Sequence, residues 1–138
     1  MANPVVIDTG PLVALIDHED EHHAWATAQT KSLQPPFFTC EAVISECIFL
    51  LPHARRGLPT LLRFLDEGFV RVTFGMNENL EAVSRMLLKY QDVPMSLADA
   101  CLVRMSELHD GARVFTLDSD FKLYRRQGRH VIPLISPV

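Results

Sequence analysis

The sequence predicts an α/β domain with a mainly parallel sheet of about five strands, covered by helices on both sides. Three observations lead there. Short runs of β-branched and aromatic residues recur along the chain, segments with helical spacing lie between them, and several of the runs are apolar throughout, as strands buried on both faces are.

The first run, VVID (5–8), ends in a carboxylate and passes through Thr9, Gly10 and Pro11 into a short helix over 10–16. Pro11 suits a first helical turn because its missing N–H would have no partner there. A second helix is expected over 21–33, with Ala24, Trp25 and Ala28 on one side. FFT (37–39) reads as a strand, and the strongly apolar 41–51 as the helix after it. A helix over 58–65 stops at Gly68, and FVRVTF (69–74) follows as a strand. Helices over 79–90 and 97–108 come next, the latter stopped by Gly111. RVFTLD (113–118) and HVIPLI (130–135) complete the set of strands.

The length of 138 residues and the 48% hydrophobic content fit one domain over 1–138 that buries about two-thirds of its unfolded surface. No linker, repeat or low-complexity segment interrupts it. A formal net charge of −4 argues against a protein held to nucleic acid by bulk charge. It leaves room for a nuclease, since carboxylates gathered around a metal lower the total while basic residues cluster locally. Arg55 with Arg56 and the segment KLYRRQGRH (122–130) are such clusters, and each taken alone reads as a solvated face.

Cys40, Cys47 and Cys101 are odd in number, sit in apolar segments and form no Cys-x-x-Cys pair, so reduced core residues of a cytosolic protein are expected. The start MANPVV lacks the basic residues of a signal peptide, and no apolar run approaches the roughly 18 residues of a membrane span. A soluble, cytoplasmic protein is the expectation.

Four carboxylates stand in places that local structure explains only in part. Asp8 closes the first strand and could serve as a helix cap. Glu46 lies in CEAVISECIFLL, where Ala42, Val43, Phe49 and Leu50 are its helical neighbours. Those neighbours are apolar, so the carboxylate is expected on the core side, with a cationic or hydrogen-bonding partner. Asp99 follows Ser96 by three positions, the spacing of a capping box. Asp118 ends the strand RVFTLD, and Asp120, just past the strand end, is the less favoured ligand of the two.

Two of these acids end strands and two lie on helices that follow or approach strands, so all can meet at one edge of the sheet, where α/β folds bind ligands. Carboxylates about 4 Å apart repel by roughly 4 kcal/mol per pair at an effective dielectric of 20, so the cluster needs a cation. Hard oxygen donors without Cys or His favour Mg²⁺ or Mn²⁺ over zinc. Such an ion supports phosphodiester hydrolysis by activating water and neutralising charge on the transition-state oxygens, without a covalent nucleophile.

With these residues in place, the chain resembles the PIN-domain family, and within it toxin nucleases of the VapC type. The matching tracts are VVIDTGPLVALID at the start, HHAWA (22–26), TCEAVISE (39–46), SLADACL (96–102) and VFTLDSDF (114–121), in the family's order. The resemblance implies a three-layer α/β/α fold and an acidic Mg²⁺ or Mn²⁺ site built by Asp8, Glu46, Asp99 and Asp118, supported by Thr9 and Thr116. It further implies endoribonuclease cleavage of tRNA or another structured RNA, a homodimer, and an antitoxin partner whose tail crosses the active-site groove. The tract LPHARRGLP (51–59) matches no motif of the family. Arg125, Arg126 and Arg129 are candidate phosphate contacts.

Other readings compete with it. HEDEH (18–22) spells the zinc-protease string His-Glu-x-x-His, which needs both imidazoles on one helical face with Glu19 as base. Here the segment reads as a polar helix start without a third ligand, and His23 is expected to pack beside Trp25. The Asp-Thr-Gly at 8–10 also matches aspartic proteases, but those use two aspartates sharing a proton in a β-rich fold. A metal-dependent phosphatase would want a second acid at position 10, which is Gly. A non-catalytic binding module has no use for a repulsive carboxylate cluster.

Overall fold

Val5–Ile7 forms β1, all three of its residues buried, as a strand covered on both faces requires. In the computed structural model, which describes residues 3–138, β1 is the centre of the sheet. The chain continues through α1 (Thr9–Ile16), α2 (His23–Thr30), β2 (Phe37–Thr39), α3 (Glu41–Leu50), α4 (Gly57–Asp66) and β3 (Val70–Val72). Helices α5 (Leu80–Lys89) and α6 (Leu97–Leu108) then lead to β4 (Arg113–Phe115). Three two-residue strands complete the described chain: β5 (Arg125–Arg126), β6 (His130–Val131) and β7 (Leu134–Ile135).

The main sheet runs β3-β2-β1-β4-β7, and each neighbouring pair is parallel. With the helices packed on it, this is the expected three-layer α/β/α arrangement. In register, Val6 stands between Phe38 of β2 and Val114 of β4. The chain builds outward from β1 in one direction through β2 and β3 and in the other through β4 and β7. The gap beyond the carboxyl ends of β1 and β4 is therefore the topological switch point, where such folds hold ligands.

The core packs around this centre. Phe37 and Phe115 are fully buried and meet edge to face with centroids 6.3 Å apart, each side chain contributing about 2–3 kcal/mol through burial. Trp25 from α2 meets the same Phe115 ring at 5.6 Å. The three cysteines are buried and unpaired, as expected, and burial pushes the Cys47 thiol up to about 12. Among the described residues no helix is long and apolar enough to cross a membrane.

Four elements differ from expectation. The strand expected over 113–118 ends at Phe115, because the Asp118 N–H turns to the Thr116 hydroxyl instead of a neighbouring strand, so Asp118 lies past β4 and does not end it. The run at 130–135 divides, because Pro133 has no N–H to donate and Ile132 beside it turns into the core. His130–Val131 pairs antiparallel with Arg125–Arg126, while Leu134–Ile135 joins β4 in the main sheet. The second helix contracts to His23–Thr30 because Asp17 and Asp20 accept hydrogen bonds from the backbone N–H of Glu19 and His22, holding that stretch in turns. The strand at 69–74 shortens to Val70–Val72, at the edge of the sheet.

These turns also settle the zinc-protease string. His18, Glu19 and His22 precede the helix and share no helical face. His23 stacks on His18 at 4.4 Å, and its Nδ1 lies 2.7 Å from the Ala14 carbonyl.

Candidate active site

Asp8 follows β1 directly. Its backbone N–H extends the sheet ladder to the Phe115 carbonyl at 2.9 Å, and its side chain caps α1 by accepting from the Thr9 N–H at 2.7 Å. The other carboxylate oxygen accepts from the Thr116 hydroxyl, also at 2.7 Å, across the switch point. Thr116, fully buried just past β4, accepts in turn from the Asp118 N–H at 3.0 Å. One threonine thus ties Asp8, just past β1, to Asp118, in the loop past β4. Gly10 makes the close approach possible, since a Cβ there would stand 3.1 Å from the Leu117 side chain.

Asp99 sits at the third position of α6 in a complete capping box with Ser96, and it lines the pocket as well. Its Oδ2 accepts from the Ser96 N–H at 3.2 Å and from the Tyr124 hydroxyl at 3.0 Å. Asp118 caps the short 3₁₀ turn of residues 119–122 through the Asp120 N–H at 2.9 Å. Asp120 serves here through its backbone, and its side chain does not line the pocket.

Glu46 differs from expectation in one respect. It is exposed, because α3 turns Val43 and Cys47 to the core while Phe49 and Leu50, the neighbours taken to mark a core face, are 80% and 48% exposed. Its partner is the Thr9 hydroxyl, which donates to Oε2 at 2.9 Å.

Asp8, Glu46, Asp99 and Asp118 line one open pocket of about 410 Å³, with Thr9, Gly10, Pro94, Ser96 and Leu117. Among the described residues no Lys or Arg lies within 4.0 Å of these carboxylates. Burial chiefly pushes the Asp8 carboxyl up to about 6, against hydrogen bonds from Thr116 and Thr9, and the charges of Asp99 and Asp118 push it the same way. Asp99 is also raised, mostly by burial, and further by Asp118. The donors around the pocket orient the carboxylates and leave their charge uncompensated.

Among the described residues no three Asp, Glu, His or Cys side chains close into a metal cage. The pocket is an open set of hard oxygen donors. That fits an ion such as Mg²⁺, which keeps several waters and takes one or two carboxylates, better than it fits a fully chelated metal.

A family model described as PIN domain matches residues 5–127. The chain belongs to the PIN domain family. PIN domains are generally nucleases, hydrolases that typically use divalent metals on nucleic-acid substrates, and the acidic pocket of this PIN domain has the donor chemistry such metals require. No curated protein matches the chain.

Of the basic residues singled out in the sequence, none lines the acidic pocket. Arg125 folds its Nη1 back onto the carbonyls of Lys122, Leu123 and Tyr124, and Arg129 is exposed in the turn between β5 and β6. The Arg126 Nε is buried without a partner among the described residues. Sequence reasoning missed Tyr124, which is fully buried and holds Asp99. A buried tyrosine must find a partner for its hydroxyl, but in KLYRRQGRH the neighbouring charges conceal that it is buried.

Proposed function

We propose that this PIN domain is a Mg²⁺- or Mn²⁺-dependent endoribonuclease of the VapC type, the toxin of a cytoplasmic toxin–antitoxin pair. One observation carries the reading. Four carboxylates from four separate segments line a single pocket at the switch point, each oriented by hydroxyl or backbone donors and none paired with a protein cation.

Asp8, Glu46, Asp99 and Asp118 would hold the ion, one or two directly and the others through its waters. A divalent cation bound there supplies a water of lowered pKa and neutralises charge on the phosphoryl oxygens. Thr116 and Thr9 fix the rotamers of Asp8 and Glu46, and Tyr124 fixes that of Asp99, so the acids stay aligned while repelling one another. The pocket opens to solvent, which admits a phosphodiester between the carboxylates.

The outer face of α3 supports a protein partner. Ile48, Phe49 and Leu50 are exposed beside Glu46, and Leu58 and Leu62 of α4 are exposed as well. Exposed apolar side chains of this kind suit a homodimer contact or an antitoxin segment that reaches the pocket mouth.

The test is cleavage of a mixed RNA pool by purified protein with Mg²⁺, with Mn²⁺ and with EDTA, beside Asp8→Asn. Metal-dependent cutting that the variant loses is the expected result. Full activity in Asp8→Asn or in EDTA would refute the metal site. Growth arrest on expression of wild type but not of Asp8→Asn is expected for a toxin.

A further inference from the structure

A second cleft, of about 380 Å³, lies between α5, α6 and the β5–β6 hairpin, lined in part by Arg85, Lys89, Tyr90, Arg104, Glu107 and Arg125. Four cations face one carboxylate there, on a chain whose formal net charge is −4. Two of them, Lys89 and Arg125, are positioned by carbonyls that leave their charge unpaired. Lys89 donates to the Gly128 carbonyl at 3.0 Å, and Arg125 donates to three carbonyls, all through Nη1. Neither has a carboxylate within 4.0 Å among the described residues.

Arg104 spends Nε on Asn79 at 2.9 Å and Nη1 on Glu107 at 3.3 Å. Glu107 also accepts from the Gln127 N–H, which draws its charge toward the hairpin. Arg85 reaches Glu81 through Nη2 on the exposed rim. A guanidinium carries five N–H donors and an ammonium three, so every one of the four cations keeps donors for a ligand.

The cleft is joined to the acidic pocket by structure. Helix α6 carries Asp99 in its first turn and Arg104 and Glu107 about 8 and 12 Å further along its axis. Tyr90, in the cleft wall, accepts from the Arg125 N–H at 2.9 Å and packs against Tyr124 at 5.2 Å between centroids, and Tyr124 holds Asp99. Nothing in the hydrolytic chemistry uses these cations.

We infer that this cleft is a phosphate exosite: Arg85, Lys89, Arg104 and Arg125 bind backbone phosphates of the RNA whose scissile bond lies in the acidic pocket. The inference rests on the nuclease reading for its substrate. RNA is favoured over an acidic protein segment because a net acidic chain with a four-carboxylate site repels polyphosphate, and a local cluster of oriented cations offsets that repulsion.

Backbone phosphate contacts are independent of sequence, so a fluorescein-labelled, mixed-sequence single-stranded RNA serves as the probe, with EDTA present to prevent cleavage. Anisotropy is read across a salt series for the wild type, for Arg85→Gln/Lys89→Gln, and for a charge-matched control, Lys31→Gln/Arg71→Gln, at exposed positions elsewhere. Both cleft side chains are exposed, and circular dichroism checks that each protein folds. The cleft variant is expected to bind several-fold more weakly and to lose about 1.4 from the slope of log K against log salt, at about 0.7 per contact on a single strand. The control is expected to keep its slope.

An unchanged slope, or an equal loss in the control, overturns the inference. Loss of polyglutamate binding in the cleft variant with the RNA slope intact also overturns it, and assigns the cleft to an acidic protein segment. Metal-dependent cleavage is scored separately. A wild type that shows the cleft-dependent slope and never cuts RNA refutes the proposed activity and leaves the exosite standing, and cutting with an unchanged slope does the reverse.

Discussion

The acidic pocket and the basic cleft are built on the same helix and solve the same problem with opposite charge. In the pocket, hydroxyls and backbone N–H groups hold four carboxylates without a cation. In the cleft, backbone carbonyls hold Lys89 and Arg125 in the same way, while Arg85 and Arg104 are paired with Glu81 and Glu107. Neutral dipoles fix a side chain's direction while leaving its charge to act on a ligand, whereas an ion pair would fix it and spend the charge. The difference lies in burial. Asp8 and Asp99 are buried and their carboxyls are pushed up, while Arg85 and Lys89 stand in solvent.

The sharpest break of this comparison comes from removing charge in the pocket. Asp99→Asn and Asp118→Asn are expected to take RNA cleavage below detection in a metal-supplemented assay, with the circular dichroism spectrum of the wild type. Retained cleavage in either would mean that the residue caps its helix or turn and does no more.

A smaller effect separates buried charge from exposed charge. The ordinary Asp value is 3.8 and the folded Asp8 sits at about 6, so the folded chain holds this proton more tightly than the unfolded chain does. The stability this lends is present below about pH 4 and is lost as pH rises through 6. Asp8→Asn carries no charge at any pH. In metal-free protein it is therefore expected to gain up to about 3 kcal/mol over wild type above pH 6, relative to the difference at pH 4, in urea melts. Parallel pH profiles would show that burial does not raise the Asp8 carboxyl.

Removing an orienting dipole tests the mechanism more gently. Tyr124→Phe deletes the hydroxyl that holds Asp99, and cleavage is expected to fall about 10-fold, the lower end of what such supporting partners contribute at a metal site. The pH profile of cleavage should move with it, since the Asp99 carboxylate loses a donor. A drop in melting temperature with cleavage unchanged would make Tyr124 a packing residue. Smallest is Thr9→Val, which frees the exposed Glu46 and keeps the backbone bond to Asp8; a loss of about 3-fold in kcat/KM is expected.

Much of the fold was legible because it follows from local patterns. VVI and the flanking Asp-Thr-Gly-Pro read as a buried strand handing over to a capped helix, and β1 and α1 are that. Ser96 three residues before Asp99 read as a capping box, and both of its bonds are present. The misreadings share one cause. Periodicity reports which residues are apolar, and Phe49 and Leu50 are apolar without being buried, so the exposure of Glu46 could not follow from its neighbours. Likewise HVIPLI has the composition of one strand, yet Pro133 splits it between two sheets.

The sequence by itself determined the alternation of strands and helices, the four candidate acids and the tracts that mark the PIN family, because these depend on residue type and spacing along the chain. Tertiary structure alone decided that Thr116 spans to Asp8 over 108 residues, that Tyr124 holds Asp99, and that Arg125 joins Arg85, Lys89 and Arg104 in one cleft. Those partners are far apart in sequence, and only the parallel order β2-β1-β4 and the packing of α5 on α6 bring them together.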